Sequence, residues 1–381
     1  MKEIYLDNSA TTQLDKNVLA EMMPYLTEQY GNASSIYKIG RLSKKAVEDS
    51  REKIASIFNC EPEEIYFTSG GSESDNTIIK GIAHKYHSQG NHIITTKIEH
   101  PAVLETCKQL EAEGYDITYL DVDSKGQINL TELENSIKDT TILITIMYAN
   151  NEIGTIEPIA EIGKIAKKHN VFFHTDAVQA AGIENIDVQE MNIDSISISS
   201  HKFYGPKGIG ALYVRKTIKF IPLISGGHQE RNKRAGTENV AGIVGMAYAL
   251  NLAHKEIEKN QNQISTLRDY YEKEIFENLS DLQINGDINN RLPGNSNISF
   301  FGINGDSLLL NLDNAGIYAS LGSACTSGSI EPSHVLTAIG VPIDKARGSL
   351  RISIGKYNTK EDIDYLVKIL TETVLRLRNI K

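Results

Sequence analysis

Two residues that could do covalent chemistry stand at the ends of apolar runs. Lys202 closes Ser195-Ile196-Ser197-Ile198-Ser199-Ser200-His201-Lys202, and Asp176 closes Val171-Phe172-Phe173-His174-Thr175-Asp176. The first run alternates Ser and Ile with the period of a strand, then breaks at a turn carrying Gly205, Pro206, Gly208 and Gly210. A lysine ahead of such a rigid turn can face a pocket and form a Schiff base once burial or a neighbouring charge lowers its pKa. The same pattern also fits a surface lysine beside a loop. The second run delivers a carboxylate out of a hydrophobic strand, where desolvation demands a cationic or donor partner. A protonated pyridine nitrogen would serve, as would a salt bridge or a helix cap.

Three further stretches bear on the same chemistry. Thr68-Ser69-Gly70-Gly71-Ser72-Glu73-Ser74 joins a strand to a helix. Its glycines let the backbone approach an anion, and a helix N-terminus offers free N–H groups and a favourable dipole. An N-capping turn with Ser72 as the cap is the plainer reading. The loop is neither a Walker loop nor a G-x-G-x-x-G fingerprint, which argues against a nucleotide. His100, in Glu99-His100-Pro101-Ala102, follows another strand and could stack on a flat ring and exchange protons with a substrate. A phosphate cradle, Asp176 and Lys202 (202 − 176 = 26 residues apart) together form the set that pyridoxal 5'-phosphate requires. Cys325 sits among Gly322, Ser323, Ala324, Thr326, Ser327, Gly328 and Ser329, a run in which a buried structural cysteine is rare and an inert loop thiol is the plainer alternative to a nucleophile. A flexible loop suits a nucleophile that visits one site and delivers to another. Arg351 interrupts the strand pattern Ser349-Leu350-Arg351-Ile352-Ser353, where its guanidinium could grip a carboxylate bidentately or form a structural ion pair.

Composition narrows the classes of function. The 381 residues carry 39 basic and 49 acidic side chains, a net charge of −10, so a nucleic-acid partner is not expected. No apolar run approaches the ~18 residues of a membrane span, and the start Met1-Lys2-Glu3-Ile4-Tyr5 lacks a signal-peptide core, so a cytoplasmic protein is expected. Three cysteines, Cys60, Cys107 and Cys325, do not suggest a disulfide framework. His84, His87 and His92 lack the cysteines or carboxylates that would complete a metal shell, so no resident metal is expected.

The elements that must position these groups follow from periodicity. Strands are expected at Ile65–Thr68, His92–Thr96, Asp116–Leu120, 142–147, 171–175, Ser195–Ser199 and Gly210–Val214. Helices are expected at 15–29, 41–59, 73–85, 102–113, 130–137 and Ile159–His169, and one long helix at 240–277. This alternation implies a mainly parallel seven-stranded α/β sheet covered on both faces, with ligands gathering beyond the carboxyl ends of its strands. The remainder, with strands near 296–301 and 350–354 and helices near 306–314, 332–339 and 360–378, reads as a smaller α+β unit. The expected division is a large domain at 15–255 and a small domain formed by 1–14 and 256–381, which carries the cysteine loop.

Ordered motifs along nearly the whole chain resemble the cysteine desulfurases of the class-V aminotransferase group. They include Leu6-Asp7-Asn8-Ser9-Ala10-Thr11-Thr12, Gly31-Asn32-Ala33-Ser34-Ser35, Glu73-Ser74-Asp75-Asn76 and Asn150-Asn151-Glu152-Ile153-Gly154. His174-Thr175-Asp176-Ala177-Val178-Gln179, Ser200-His201-Lys202, Arg234-Ala235-Gly236-Thr237 and Gly322-Ser323-Ala324-Cys325-Thr326-Ser327-Gly328-Ser329 continue the series. The last of these, with Glu331-Pro332-Ser333-His334-Val335-Leu336, resembles the NifS/IscS branch. The resemblance implies the fold of pyridoxal-phosphate transferases of fold type I. It implies Lys202 as the Schiff-base lysine, Asp176 as partner of the ring nitrogen and His100 as the stacked histidine. Asn151 and Gln179 would lie by the ring oxygen. Gly71, Ser72, Ser199 and His201 would hold the phosphate, with Thr237 reaching it from a second subunit of a homodimer. Arg351, with Asn151, would bind the substrate carboxylate. Sulfur would leave L-cysteine as a persulfide on Cys325, giving L-alanine, and pass to an iron–sulfur scaffold of the IscU/NifU kind or another acceptor. Cys325 would be the only metal-binding residue, as a passing ligand during transfer. Two departures are visible: Gly71-Ser72 stands where Ala-Thr is common, and Leu321 where a small polar residue is usual. A selenocysteine lyase or a related aminotransferase or lyase is the alternative within the same chemistry.

Overall fold

The computed structural model describes residues 3–321 and 333–379. Seven strands form the main sheet: β2 (Ile65–Thr68), β3 (His92–Thr96), β4 (Asp116–Leu120), β5 (Thr141–Thr145), β6 (Phe172–Asp176), β7 (Ser195–Ser199) and β8 (Gly210–Val214). They follow the short β1 (Ile4–Tyr5) and lie in the order β2-β8-β7-β6-β5-β3-β4. All neighbours pair in parallel except β8, which runs antiparallel to both β2 and β7. The ten residues between β7 and β8 are too few for a crossover helix, so the chain turns straight back.

The pleat of these strands serves two cores. Ile93, Leu143 and Leu212 face Ile78 and Ile82 of helix Gly71–Tyr86, whereas their neighbours Ile94 and Ile144 join Val47, Ile54, Phe173 and Ile196 on the other side. Successive side chains point to opposite faces, so a strand buried on both sides carries few polar groups; those of β3, β5 and β7 are His92 and hydroxyls, of which Thr141, Thr145 and Ser195 find partners and Thr95 Oγ1 finds none among the described residues.

A second unit has its own core of Ile4, Leu6, Tyr271, Ile298, Leu350, Ile352 and Leu366. It is built on β9 (Leu282–Ile284), β10 (Asn295–Phe300) and β12 (Ser349–Ser353), an antiparallel sheet in the order β12-β10-β9. Beside it β1 pairs in parallel with β11 (Ile317–Tyr318). Helices Ile257–Asn278 and Lys360–Arg378 cover this unit.

The long helix expected at 240–277 is two helices, Val240–Lys255 and Ile257–Asn278, broken at Glu256, whose φ of −113° and ψ of 11° are not helical. The first packs on Lys16–Thr27 and Lys38–Phe58, the second on Lys360–Arg378. One straight rod cannot lay its apolar face on two separate cores, so the chain turns between them. Among the described residues, no helix is long and apolar enough to cross a membrane, and no cluster of His, Cys, Asp and Glu could hold a metal ion.

Candidate active site

The carboxyl ends of β6 and β7 and the turn after β2 open into one cavity of about 320 Å³ between the two units. Its walls include Gly71, Ser72, His100, Asn151, Asp176, Gln179, Ser199, His201, Lys202 and Arg351. Thus ten residues singled out from the sequence meet in one place. Thr237 does not; it lines a separate cavity with Ser69, Gly208 and Arg234. Cys325 and the small-residue run around it lie outside the described residues.

At one end of the cavity helix Gly71–Tyr86 begins. A Cβ on Gly71 would stand 2.6 Å from Val178 Cγ2, so only glycine leaves the helix N-terminus open at this point. The hydroxyls of Ser72 and Ser199 and the imidazole of His201 border the same space. His201 is pulled down to about 4 by burial, with Lys202 and Lys207 adding to the effect, so its ring is neutral at pH 7. Its Nδ1 meets Thr11 Oγ1 at 3.1 Å. Helix N–H groups and neutral donors are suited to an anionic ligand.

Lys202 follows β7 on a single 3₁₀ turn, Ser200–Lys202. Its Nζ donates to the carbonyls of Ser9, at 2.5 Å, and Ala10, at 2.8 Å, and Gln179 Nε2 donates to Ser9 O at 3.0 Å. The N-terminal loop therefore holds both side chains. Sequence reasoning assigned no role to that loop.

Asp176 ends β6, and its Oδ1 accepts from Val178 N at 2.9 Å. Burial raises its pKa, while His100, the Val178 amide and Lys202 oppose that rise. Behind it lies Asp75, fully enclosed, whose pKa rises because of burial first and the charge of Asp176 second. Asp75 Oδ1 has no hydrogen-bond partner among the described residues. His174, buried and pulled down to about 3, bonds Thr145 Oγ1 and Ser197 Oγ and brings no positive charge. The negative charge of this layer thus belongs on Asp176, which has Lys202 near it, and not on Asp75. A flat ligand with a cationic ring nitrogen at Asp176 and an anionic group at the helix N-terminus fits the donors and charges present.

His100 caps helix Pro101–Ala112, its Nδ1 accepting from Ala102 N at 3.1 Å, and burial pushes its pKa down. On the opposite wall Arg351, only 1% exposed, reaches Asp7 Oδ1 at 2.6 Å and the carbonyl of Asn151 at 3.0 Å. Glu152 and His334 also line the cavity. Sequence reasoning quoted both within motifs and gave neither a role, because nothing local to residue 152 or 334 announces a fold that joins them.

The family model described as aminotransferase class-V matches residues 4–366. The chain belongs to the class-V aminotransferases. Within that family it is similar to proteins named cysteine desulfurase IscS. That of Dictyoglomus turgidum is 53% identical over 379 residues, covering 100% of this chain and 96% of the relative. That of Methanosarcina thermophila is 54% identical over 379 residues, covering 100% and 94%. Among solved structures, a NifS-like protein superposes with a TM-score of 0.94 at 40% identity, covering 99% of this chain and 100% of the other. A structure described as SspA in complex with cysteine gives a TM-score of 0.83 at 40% identity, covering 93% and 100%. This class-V aminotransferase fold carries the cavity above at the junction of its two units.

Proposed function

We propose that this enzyme is a cysteine desulfurase that removes sulfur from L-cysteine, releases L-alanine and holds the sulfur as a persulfide on Cys325, with pyridoxal 5'-phosphate as its cofactor. The observation that carries this reading is the convergence of Lys202, Asp176 and a helix N-terminus on one wall of a cavity, with Arg351 on the other. More than half of the residues are shared with proteins that bear the name cysteine desulfurase.

Gly71, Ser72, Ser199 and His201 would hold the phosphate, Asp176 the ring nitrogen, and Asn151 and Gln179 the ring-oxygen side. When bound, the cofactor supplies an electron sink that acidifies the α-C–H of the amino acid and weakens its Cβ–S bond. Lys202 would hold it through Nζ, and the same amine would carry the α-proton. Arg351 fixes the substrate carboxylate with its guanidinium, and so aims the sulfur. His100 covers the cavity and excludes water. Cys325, as thiolate, takes the sulfur.

A homodimer in which Thr237 serves the partner's phosphate site follows from the same reading, as does a cytoplasmic enzyme passing sulfur to an iron–sulfur scaffold or another acceptor. Two separate hydrophobic cores support the division into domains 15–255 and 1–14 with 256–381.

The test compares the wild type with Cys325→Ser and Lys202→Ala. The wild type yields alanine and sulfide from L-cysteine. Cys325→Ser keeps the visible absorbance of the bound cofactor and makes no alanine, whereas Lys202→Ala loses the covalent attachment. Wild-type turnover by Cys325→Ser sinks the persulfide assignment, and preference for selenocysteine over cysteine redirects it to a lyase.

A further inference from the structure

Of the three histidines that border the cavity, His100 and His334 carry the ring proton on the same nitrogen but differ in what occupies the other. A backbone N–H points at His100 Nδ1, so that nitrogen carries a lone pair, and the proton of the neutral ring is on Nε2. In His334, Nε2 lies 3.0 Å from the carbonyl oxygen of Glu99, which can only accept, so Nε2 carries the proton and Nδ1 the lone pair. Among the described residues Nδ1 of His334 has no hydrogen-bond partner. The lone pair of His100 is occupied by a backbone amide, so His334 is the member of the pair able to receive a proton.

The position of His334 is held firmly. It opens the helix His334–Ala338, capped by Ser333, whose Oγ also meets Glu152 Oε2 at 2.5 Å. Glu152 is buried and adjoins Asn151, whose carbonyl binds Arg351. The imidazole is thus tied to the backbone ahead of His100, and the residue before it to the loop that adjoins Asn151. In sequence it stands 334 − 325 = 9 residues after Cys325.

We propose that His334 is the proton carrier for the sulfur end of the substrate, receiving at Nδ1 the hydrogen that leaves with sulfur and returning it to the carbon that sulfur has left. This rests on the desulfurase reading above. When the Cys325 thiolate takes the substrate sulfur, the Cβ–S bond breaks, an S–S bond forms, and the electron pair stays with the substrate. The hydrogen remains on the outer sulfur. His334 Nδ1 removes it, leaving the pair on sulfur, and the imidazolium then gives it to Cβ, which becomes the methyl group of alanine. Cysteine and a thiolate yield alanine and a persulfide anion, with no oxidant or reductant entering. A positive charge on His334 opposes protonation of His100, so the proton stays on one ring.

The experiment uses the cofactor-loaded enzyme in three forms. His334→Gln keeps an N–H in reach of the Glu99 carbonyl but removes the base. It is expected to load cofactor and bind L-cysteine as the wild type does, with kcat down on the order of 10²-fold, the usual worth of a positioned acid–base group. His334→Ala is expected to fall at least as far and to regain rate with added imidazoles in order of their basicity. Turnover of His334→Gln within threefold of wild type overturns the proposal. So does a slow His334→Ala that no imidazole accelerates, because a structural role alone gives that result. If the wild type itself makes no alanine from cysteine, the desulfurase reading has failed instead.

Discussion

The buried ion pair between Arg51 and Glu230 allows a quantitative forecast. Arg51 Nη1 and Nη2 reach Glu230 Oε2 and Oε1, each at 2.8 Å, and the two side chains are only 3% and 4% exposed. Glu230 Oε2 also accepts from Phe67 N at 2.8 Å, and Arg51 Nη1 donates to Ile65 O at 2.7 Å. The pair therefore grips β2 at Ile65 and Phe67, just before the turn that opens on the cavity. Glu230→Ala leaves a buried guanidinium with only the half-exposed Glu48 as an anion, costing about 3–5 kcal/mol, and orphans the Phe67 amide, costing about 1–3 kcal/mol. The two costs overlap, so about 4–6 kcal/mol is expected. With an unfolding entropy of about 2.1 cal/mol/K per residue, 381 residues unfolding together give about 0.8 kcal/mol/K, hence a Tm lower by about 5–7 °C. Arg51→Met with Glu230→Ala removes the stranded charge and should leave mainly the amide cost. Thermal melts and urea titrations of the cofactor-loaded protein read both variants. A loss below about 1 kcal/mol for Glu230→Ala, or a double variant no more stable than the single one, refutes the reasoning.

Three other outcomes are expected. Burial raises Glu157 to about 8, with Oε1 unpartnered among the described residues. Its folded pKa exceeds the unfolded one, so its stabilising contribution is full below about 4.5 and is lost as pH rises through 8. Glu157→Gln should therefore gain on the wild type between those values, by roughly 3–5 kcal/mol above pH 8, as read by denaturant titration; parallel pH curves would refute this. Burial holds the thiols of Cys60 and Cys107 up at about 12, so a disulfide reagent at pH 8 should modify the native protein at Cys325 alone and all three cysteines in denaturant. Rapid native labelling of Cys325→Ser would contradict it. Gly71→Ala drives a methyl into Val178, and a strain of about 1–3 kcal/mol should weaken cofactor affinity by about tenfold or more. Adding Val178→Ala should restore most of that affinity, and no restoration would locate the fault elsewhere.

What could be read from the sequence divides along a physical line. Lys202, Asp176 and the Thr68–Ser74 turn announce themselves because strand period, glycine and charge meet within a few residues, and the structure brings them onto one cavity. The break at Glu256 does not, because an apolar stripe of helical period continues across it, and only the presence of two cores on either side demands a bend. Asp75, one turn into helix Gly71–Tyr86, reads locally as an ordinary polar residue of a helix. Its burial against Asp176 is a product of the sheet order. Arg351 shows the limit most clearly. Its guanidinium was legible as a carboxylate binder, yet its partner in the structure is Asp7, 344 residues away, beside the β12 strand. An arginine with one edge spent on Asp7 and one nitrogen on the Asn151 carbonyl is already oriented before any substrate arrives. In the function proposed above, that orientation presents the guanidinium to the carboxylate of an entering amino acid. Removal of the Asp7 carboxylate by Asp7→Asn should therefore raise KM for cysteine more than it lowers kcat. The opposite split would mean that Asp7 serves the fold and not the aim of the substrate.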